Sequence, residues 1–242
     1  MIRNLLNRLK PNNNINDPFI NRLRSLVIGE GMLKPGNIVL MEHAIKHMPN
    51  HGSVIEIGSY GGLSANLLVY LLTKHQKAHL LYTCDAWIYE GYTDHKDCVT
   101  QTHIDGRPDV LRSDYSAYMK RAFIQSTQLL SAHNLPFAFH MHSHTFFDSW
   151  KNNKTETDVF GRKQPLGGTI SFAYIDGGHS YEVAKKDVEQ VTQHLALHGF
   201  MLLDDSADNE HFGSALLMKE LKKDPRFKVI AKNPNYLIQK VR

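Results

Sequence analysis

The sequence predicts an α/β protein built on a doubly wound sheet. Short apolar runs of strand type recur at residues 53–57, 79–84, 137–142, 170–175 and 200–203. Segments with apolar residues at helical spacing separate them, and this alternation is the pattern of a mainly parallel sheet. Four of the runs also end on residues suited to ligands: the Gly58-Ser59-Tyr60-Gly61-Gly62 turn, Asp85, Asp176, and the pair Asp204-Asp205. Open α/β sheets bind ligands just beyond the carboxyl ends of their strands.

The elements follow in order. Residues 1–10 place Ile2, Leu5, Leu6 and Leu9 on one stripe opposite basic residues, which predicts a short amphipathic helix. It lacks the contiguous apolar core and cleavage site of a signal peptide. A basic amphipathic helix can lie on a membrane, but ten residues are few for that, and its expected role is to pack on its own domain or on a partner subunit. After the Pro11-Asn12-Asn13-Asn14 linker, helices are expected over 19–32 and 38–48, separated by the Lys34-Pro35-Gly36-Asn37 turn. Residues 1–50 thus form a helical segment without strands, a lid or a contact to a second copy in a homo-oligomer. Residues 51–242 form the ligand-binding domain.

In that domain the first strand, 53–57, enters the glycine turn, and an apolar helix occupies 63–72. The second strand ends at Asp85. Residues 86–112 have no period and read as a long loop carrying Tyr89, Tyr92, Asp94, His95, His103 and Asp105, the place for a lid or acceptor pocket. A helix is expected over 115–132, a third strand over 137–142 and a polar loop over 151–168. A helix over 181–197 joins the fourth and fifth strands, another covers 210–222, and a hairpin turning at Asn233-Pro234-Asn235 closes the chain.

Composition narrows the function. An apolar share of 42% and a charged share of 21% are ordinary for a globular enzyme. A net charge of +4, without a long basic tract, gives no basis for nucleic-acid binding. No apolar run approaches the ~20 residues of a membrane span. Two cysteines, Cys84 and Cys98, imply no disulfide framework, and the cytoplasm is the expected compartment.

The candidate sites share one edge. Glu56, before the Gly58–Gly62 turn, suits a ligand with a cationic amino group, and Gly58, Ser59 and Gly61 let the backbone approach it. The turn is not the G-x-G-x-x-G dinucleotide fingerprint. Asp85, at the end of the second strand, is placed to grip ribose hydroxyls, and Trp87 offers a face to a purine. Together they describe an adenosine-bearing cofactor. Asp176, Asp204 and Asp205 converge after the fourth and fifth strands, and clustered carboxylates repel unless a cation, a proton or a hydrogen-bonded substrate sits among them.

Glu56-Ile57-Gly58-Ser59-Tyr60-Gly61-Gly62, Asp85-Ala86-Trp87, Asp176-Gly177-Gly178-His179-Ser180-Tyr181-Glu182 and Leu203-Asp204-Asp205 give the chain its resemblance. It resembles class I S-adenosylmethionine-dependent methyltransferases, in the branch of macrocin-type sugar O-methyltransferases and cephalosporin-hydroxylase-like proteins. The resemblance implies a Rossmann-like seven-stranded sheet with an antiparallel last strand. It also implies S-adenosylmethionine as cofactor, Mg²⁺ on Asp176, Asp204 and Asp205, and transfer to a hydroxyl of a small polyhydroxylated acceptor. Ser143 falls where related enzymes approach the adenine. Where some relatives carry a second acid as base, this chain has Gly178, so His179 or Asp176 is left for that role, with a structural role for His179 the alternative. His140, His142 and His144 alternate along the expected third strand, a spacing that binds Zn²⁺ in some proteins but reads here as an ordinary strand face. A non-catalytic cofactor-binding module and a Rossmann-type oxidoreductase are the competing functions.

Overall fold

The computed structural model of the chain describes residues 16–21, 33–88, 103–104 and 107–242. The helix expected over 1–10, most of that over 19–32 and most of the 86–112 loop, with Tyr89, Tyr92, Asp94, His95 and Asp105, lie outside the described residues.

Helix α1 (Pro35–His47) leads into β1 (Ser53–Ile57), α2 (Leu63–Lys74) and β2 (Leu81–Asp85). A small hairpin, β3 (His103–Ile104) with β4 (Arg107–Leu111), precedes α3 (Arg112–Leu130), β5 (Phe137–His140) and α4 (Ser143–Lys151). A second hairpin, β6 (Thr155–Thr157) with β7 (Lys163–Pro165), leads to β8 (Ile170–Ile175), α5 (Tyr181–His194) and β9 (Leu195–Leu203). Helix α6 (Gly213–Leu221) and the hairpin of β10 (Phe227–Asn233) and β11 (Asn235–Lys240) close the chain.

Seven strands form one sheet in the order β10-β11-β9-β8-β1-β2-β5. The pairs from β9 to β5 are parallel, whereas β11 runs antiparallel to β9 and β10 antiparallel to β11. Alternation along the strands sorts side chains into two cores. Val54, Phe172, Tyr174 and Leu202 pack under α1 and α2 with Ile38, Met41 and Leu67. Ile55, Ala173, Ile175 and Met201 face Phe146 and Trp150 of α4, Val188 and Val191 of α5, and Leu217 of α6. The strand order reverses between β1 and β8, so the crevice of the doubly wound sheet opens above the ends of these two strands.

Three expectations are corrected. The third strand stops at His140, and Ser143 begins a helix in which Phe146, Phe147 and Trp150 are buried. The alternation of His140, His142 and His144 along a strand therefore does not exist. His140 instead bonds the Ala86 carbonyl and Lys120, and the His142 and His144 rings stack on each other. The polar stretch 151–168 contains the β6–β7 hairpin. The helix expected to reach residue 197 ends at His194, because Leu195 pairs with Ile170 in the sheet and His198 takes a left-handed φ of 67°.

The turn after β1 fixes the crevice. Gly58 has φ 83°, and a Cβ there would lie 1.9 Å from the carbonyl oxygen of Asp176, the first residue after β8. Only glycine lets β1 and β8 pass this closely. The substitution Gly58→Ala is expected to cost about 3 kcal/mol or more, as strain at a left-handed position combined with a backbone clash, and urea unfolding measures it.

Candidate functional site

A cavity of about 650 Å³ opens above the ends of β1, β2 and β8, the size of a small-molecule site. Its floor is the Gly58–Gly62 turn. One wall carries Asp85, Trp87 and Met119; another carries Ser143, Asp187 and Val183; Asp176 and His179 stand at a further edge, and Leu33 covers part of it.

Asp85 organises the floor. Its Oδ2 accepts the backbone N–H groups of Ser59 and Tyr60, both at 2.8 Å, and its Oδ1 accepts that of Trp87 at 2.6 Å. The carboxylate thus ties the glycine turn to the end of β2 and keeps lone pairs directed at the cavity. Burial raises its pKa, and the Trp87 and Ser59 N–H groups oppose that rise. Trp87, buried at φ 45°, donates its indole N–H to the Tyr60 carbonyl at 2.9 Å, so the turn, Asp85 and Trp87 form one unit.

Glu56 lies one layer deeper than expected. It is 0% exposed and is absent from the cavity wall, which is built there from Ser59 and Ser64. Its position in β1 turns the side chain toward Ser64 of α2, behind the hydroxyls that line the cavity. Burial raises its pKa to about 7, against the pull of the Ser64 and Ser59 hydroxyls, and neither carboxyl oxygen makes a well-formed hydrogen bond.

Asp176 and Asp204 follow β8 and β9. The Tyr174 hydroxyl donates to Asp176 Oδ2 at 3.0 Å. Burial, and then the charge of Asp204, hold Asp176 well above the carboxylate range; burial and the charge of Asp205 raise Asp204. Carboxylates this close disfavour one another's ionised form. The Asn37 and Asn235 carboxamides both donate to Asp204 Oδ1, and Asn235 also donates to Asn37 at 3.1 Å. Asp205, at φ 48°, accepts from Lys34 Nζ at 2.8 Å, and its other oxygen lies 3.4 Å from His179 Nδ1. Burial lowers the Lys34 pKa, but hydrogen bonds to Asp205 and Glu210 outweigh it and hold the ammonium above its ordinary range.

This donor set does not fit the implied Mg²⁺. Mg²⁺ demands an octahedron of oxygens at about 2.0–2.1 Å, whereas Asp204 Oδ1 is covered by two amide donors and Asp205 Oδ1 by an ammonium. Among the described residues, no group of three or more His, Cys, Asp or Glu side chains is arranged to hold a metal ion.

The helix after Asp176 is capped by Ser180, whose hydroxyl accepts from the Val183 N–H at 3.4 Å, so capping is not the task of His179. The His179 ring lines the cavity, against Phe212 and beside Asp205. Ser143 lines the cavity from the first turn of α4 rather than from a strand end.

The sequence reading missed Asp187. It is 2% exposed, its Oδ2 has no partner among the described residues, and burial lifts its pKa to about 6 against the pull of the Ser143 hydroxyl. A signal existed: it occupies the apolar stripe of α5 with Ala184, Val188 and Val191. Lys34, Asn37 and Asn235 carried no comparable signal, since their role depends on long-range contact with Asp204 and Asp205.

A family model described as a methyltransferase domain matches residues 55–206, well over half of the chain. The chain belongs to the methyltransferase domain family. It is accordingly an S-adenosylmethionine-dependent methyltransferase, and the matched span runs from β1 past the Asp204-Asp205 pair. Solved methyltransferases share the fold at low identity. The calicheamicin methyltransferase CalS11 is 16% identical, with 93% of this chain and 87% of that chain covered and a TM-score of 0.56. An O-methyltransferase from Bacillus cereus, in complex with SAH, is 10% identical over 95% and 93%, with a TM-score of 0.57. The O-methyltransferase NovP is 13% identical over 87% and 82%, with a TM-score of 0.51. No curated protein matches the sequence. No helix among the described residues of this methyltransferase is long and apolar enough to cross a membrane.

The buried acids give the methyltransferase a pH-dependent stability. In the unfolded chain Glu56 titrates near 4.5, and folding raises it to about 7. The folded state holds this proton more tightly, so the contribution is full below 4.5 and is lost as pH rises through about 7. Glu56→Gln, which cannot ionise, is expected to be more stable than the parent at pH 8, by on the order of 3 kcal/mol at most, and equal to it at pH 4. Denaturant unfolding at the two pH values checks this.

Proposed function

We propose that this methyltransferase transfers the methyl group of S-adenosylmethionine to a hydroxyl of a small polyhydroxylated acceptor such as a sugar. The observation that carries the reading is the cavity over the ends of β1 and β8, lined by Asp85, Trp87 and His179, with Asp205 behind the His179 ring. CalS11, whose fold this chain shares, is a TDP-rhamnose 3'-O-methyltransferase, which supports a glycosylated acceptor.

When bound, the cofactor supplies an electrophilic methyl on a sulfonium, and the chain supplies alignment and a proton acceptor. The Gly58–Gly62 turn lets the backbone approach the ligand, with Ser59 and Gly61 in the cavity wall. Asp85, already positioned by three backbone N–H groups, accepts from ribose hydroxyls with its remaining lone pairs. Trp87 and Ser143 flank the adenine. Glu56 acts through Ser59 and Ser64, and a cationic amino group beyond those hydroxyls favours its ionised form. His179 takes the acceptor proton, with Asp205 orienting the imidazole and stabilising the imidazolium. Asp176, which lines the cavity beside His179, hydrogen-bonds the acceptor. The carboxylates do not fit a divalent cation, and no step of the transfer is assigned to one.

Two measurements test this. Asp85→Ala is expected to weaken S-adenosylhomocysteine binding at least about tenfold, since it removes charge-assisted hydrogen bonds worth ~1.5–3 kcal/mol, and to lower the melting temperature by loosening the turn. Unchanged affinity in calorimetry overturns the assignment. For His179→Ala, turnover of sugar acceptors is expected to fall ~10²–10⁴-fold while S-adenosylhomocysteine affinity holds. Loss of both together would instead give His179 a structural role.

A further inference from the structure

The carboxylates of Asp176, Asp204 and Asp205 gather at the ends of β8 and β9, and their charge must be offset. The compensating cation comes from the chain itself. Lys34 Nζ lies 2.8 Å from Asp205 Oδ1 and 2.7 Å from Glu210 Oε1, reaching across from the segment before α1. Three residues later, Asn37 donates to Asp204 from the first turn of α1, where a helix dipole favours negative charge. On the other side of Lys34, Leu33 is buried and forms part of the cavity wall. Residues 33–37 are therefore a strap that meets the carboxylates at two points and the cavity at a third.

We propose that Lys34 is the resident counter-ion of this cluster. It is a positioning residue whose ammonium fills the electrostatic role of a divalent cation at a three-carboxylate site and keeps the Leu33 wall seated on the cavity. The inference goes beyond methyl transfer and does not rest on which acceptor is used.

The competition is one of charge and geometry. Mg²⁺ or Mn²⁺ taking Asp205 Oδ1 would displace Lys34, and taking Asp204 Oδ1 would strip two carboxamide donors. Both steps break a partly desolvated polar network, which costs more than breaking exposed pairs. Removing the ammonium reverses the balance: the carboxylates are left under-compensated, and a divalent ion becomes their available partner.

The test uses the full chain, with Mn²⁺ binding followed by calorimetry and stability by thermal melting. The parent and Lys34→Arg are expected to show no stoichiometric Mn²⁺ site. Lys34→Met is expected to melt lower and to bind Mn²⁺ about tenfold or more tightly than the parent, because the competing ammonium is gone. Its melting temperature is expected to recover when Mn²⁺ is added, and also when Asp205→Asn is combined with it. A merely structural lysine would be rescued by neither. Three results overturn the proposal: one Mn²⁺ bound by the parent, lost in Asp204→Asn and unchanged in Lys34→Met; a Lys34→Met protein with the melting and Mn²⁺ behaviour of the parent; or a Lys34→Met/Asp205→Asn protein no more stable than Lys34→Met alone. If Lys34→Met fails to fold, the double variant still decides. None of these readouts uses turnover, so absence of sugar methylation would count against the proposed function and leave this assignment standing.

Discussion

Negative charge buried at one edge of the sheet is the constraint around which this molecule is organised. Glu56, Asp85, Asp176 and Asp204 all stand at the carboxyl ends of parallel strands, largely out of water. A buried carboxylate is costly unless it is protonated, hydrogen-bonded or paired. Each of these four meets the cost differently, and the differences assign their tasks. Asp85 is satisfied by backbone N–H groups and becomes the anchor of the glycine turn. Glu56 has no well-formed hydrogen bond and keeps its proton up to about pH 7. Asp176 and Asp204 share their burden with each other, with Tyr174 and with two carboxamides.

The same compensation ties distant parts of the chain together. Asn37 comes from the first turn of α1 and Asn235 from the start of β11, yet both are fully buried and both meet Asp204. Asn235 also accepts from the Ser206 N–H, and the Ser206 hydroxyl bonds Leu203 and Tyr236, so the antiparallel end of the sheet is fixed to the segment carrying the acids. A buried network of this kind tolerates little loss, because a stranded donor or acceptor pays its full desolvation cost. Residues 34–37 are thus part of the site's architecture.

For chemistry, the consequence is a division of the cavity. One side is rigid, a unit of glycine turn, Asp85 and Trp87 stitched by backbone hydrogen bonds. The other carries polar groups, with His179 beside Asp205 and the carboxyl of Asp176, whose ionisation burial and the neighbouring Asp204 disfavour. Alkyl transfer demands little bond-making from a protein and much alignment, and a rigid floor facing a polar wall suits that demand. Asp187, buried and half-satisfied in the wall between them, adds a polar group that a ligand can complete.

Much of this was legible in the sequence. The strand at 53–57, the glycine turn, the acids at the ends of three further strands and the closing hairpin each announced themselves through local signals: apolar runs, glycines where backbone must approach, and polar residues at strand ends. These depend on chemistry within a few residues, which sequence displays. Local pattern overextends the third strand and hides α4, because Phe146, Phe147 and Trp150 satisfy either structure until their packing against α5 is known. The metal expected of Asp176, Asp204 and Asp205 also came from local pattern, and the pattern does not record that Lys34, Asn37 and Asn235 reach the same carboxylates from more than twenty residues away or from the opposite end of the chain. The sequence determined which residues lie at the edge of the sheet. The tertiary structure decided which are free to meet a ligand, because a carboxylate's state depends on what is folded against it.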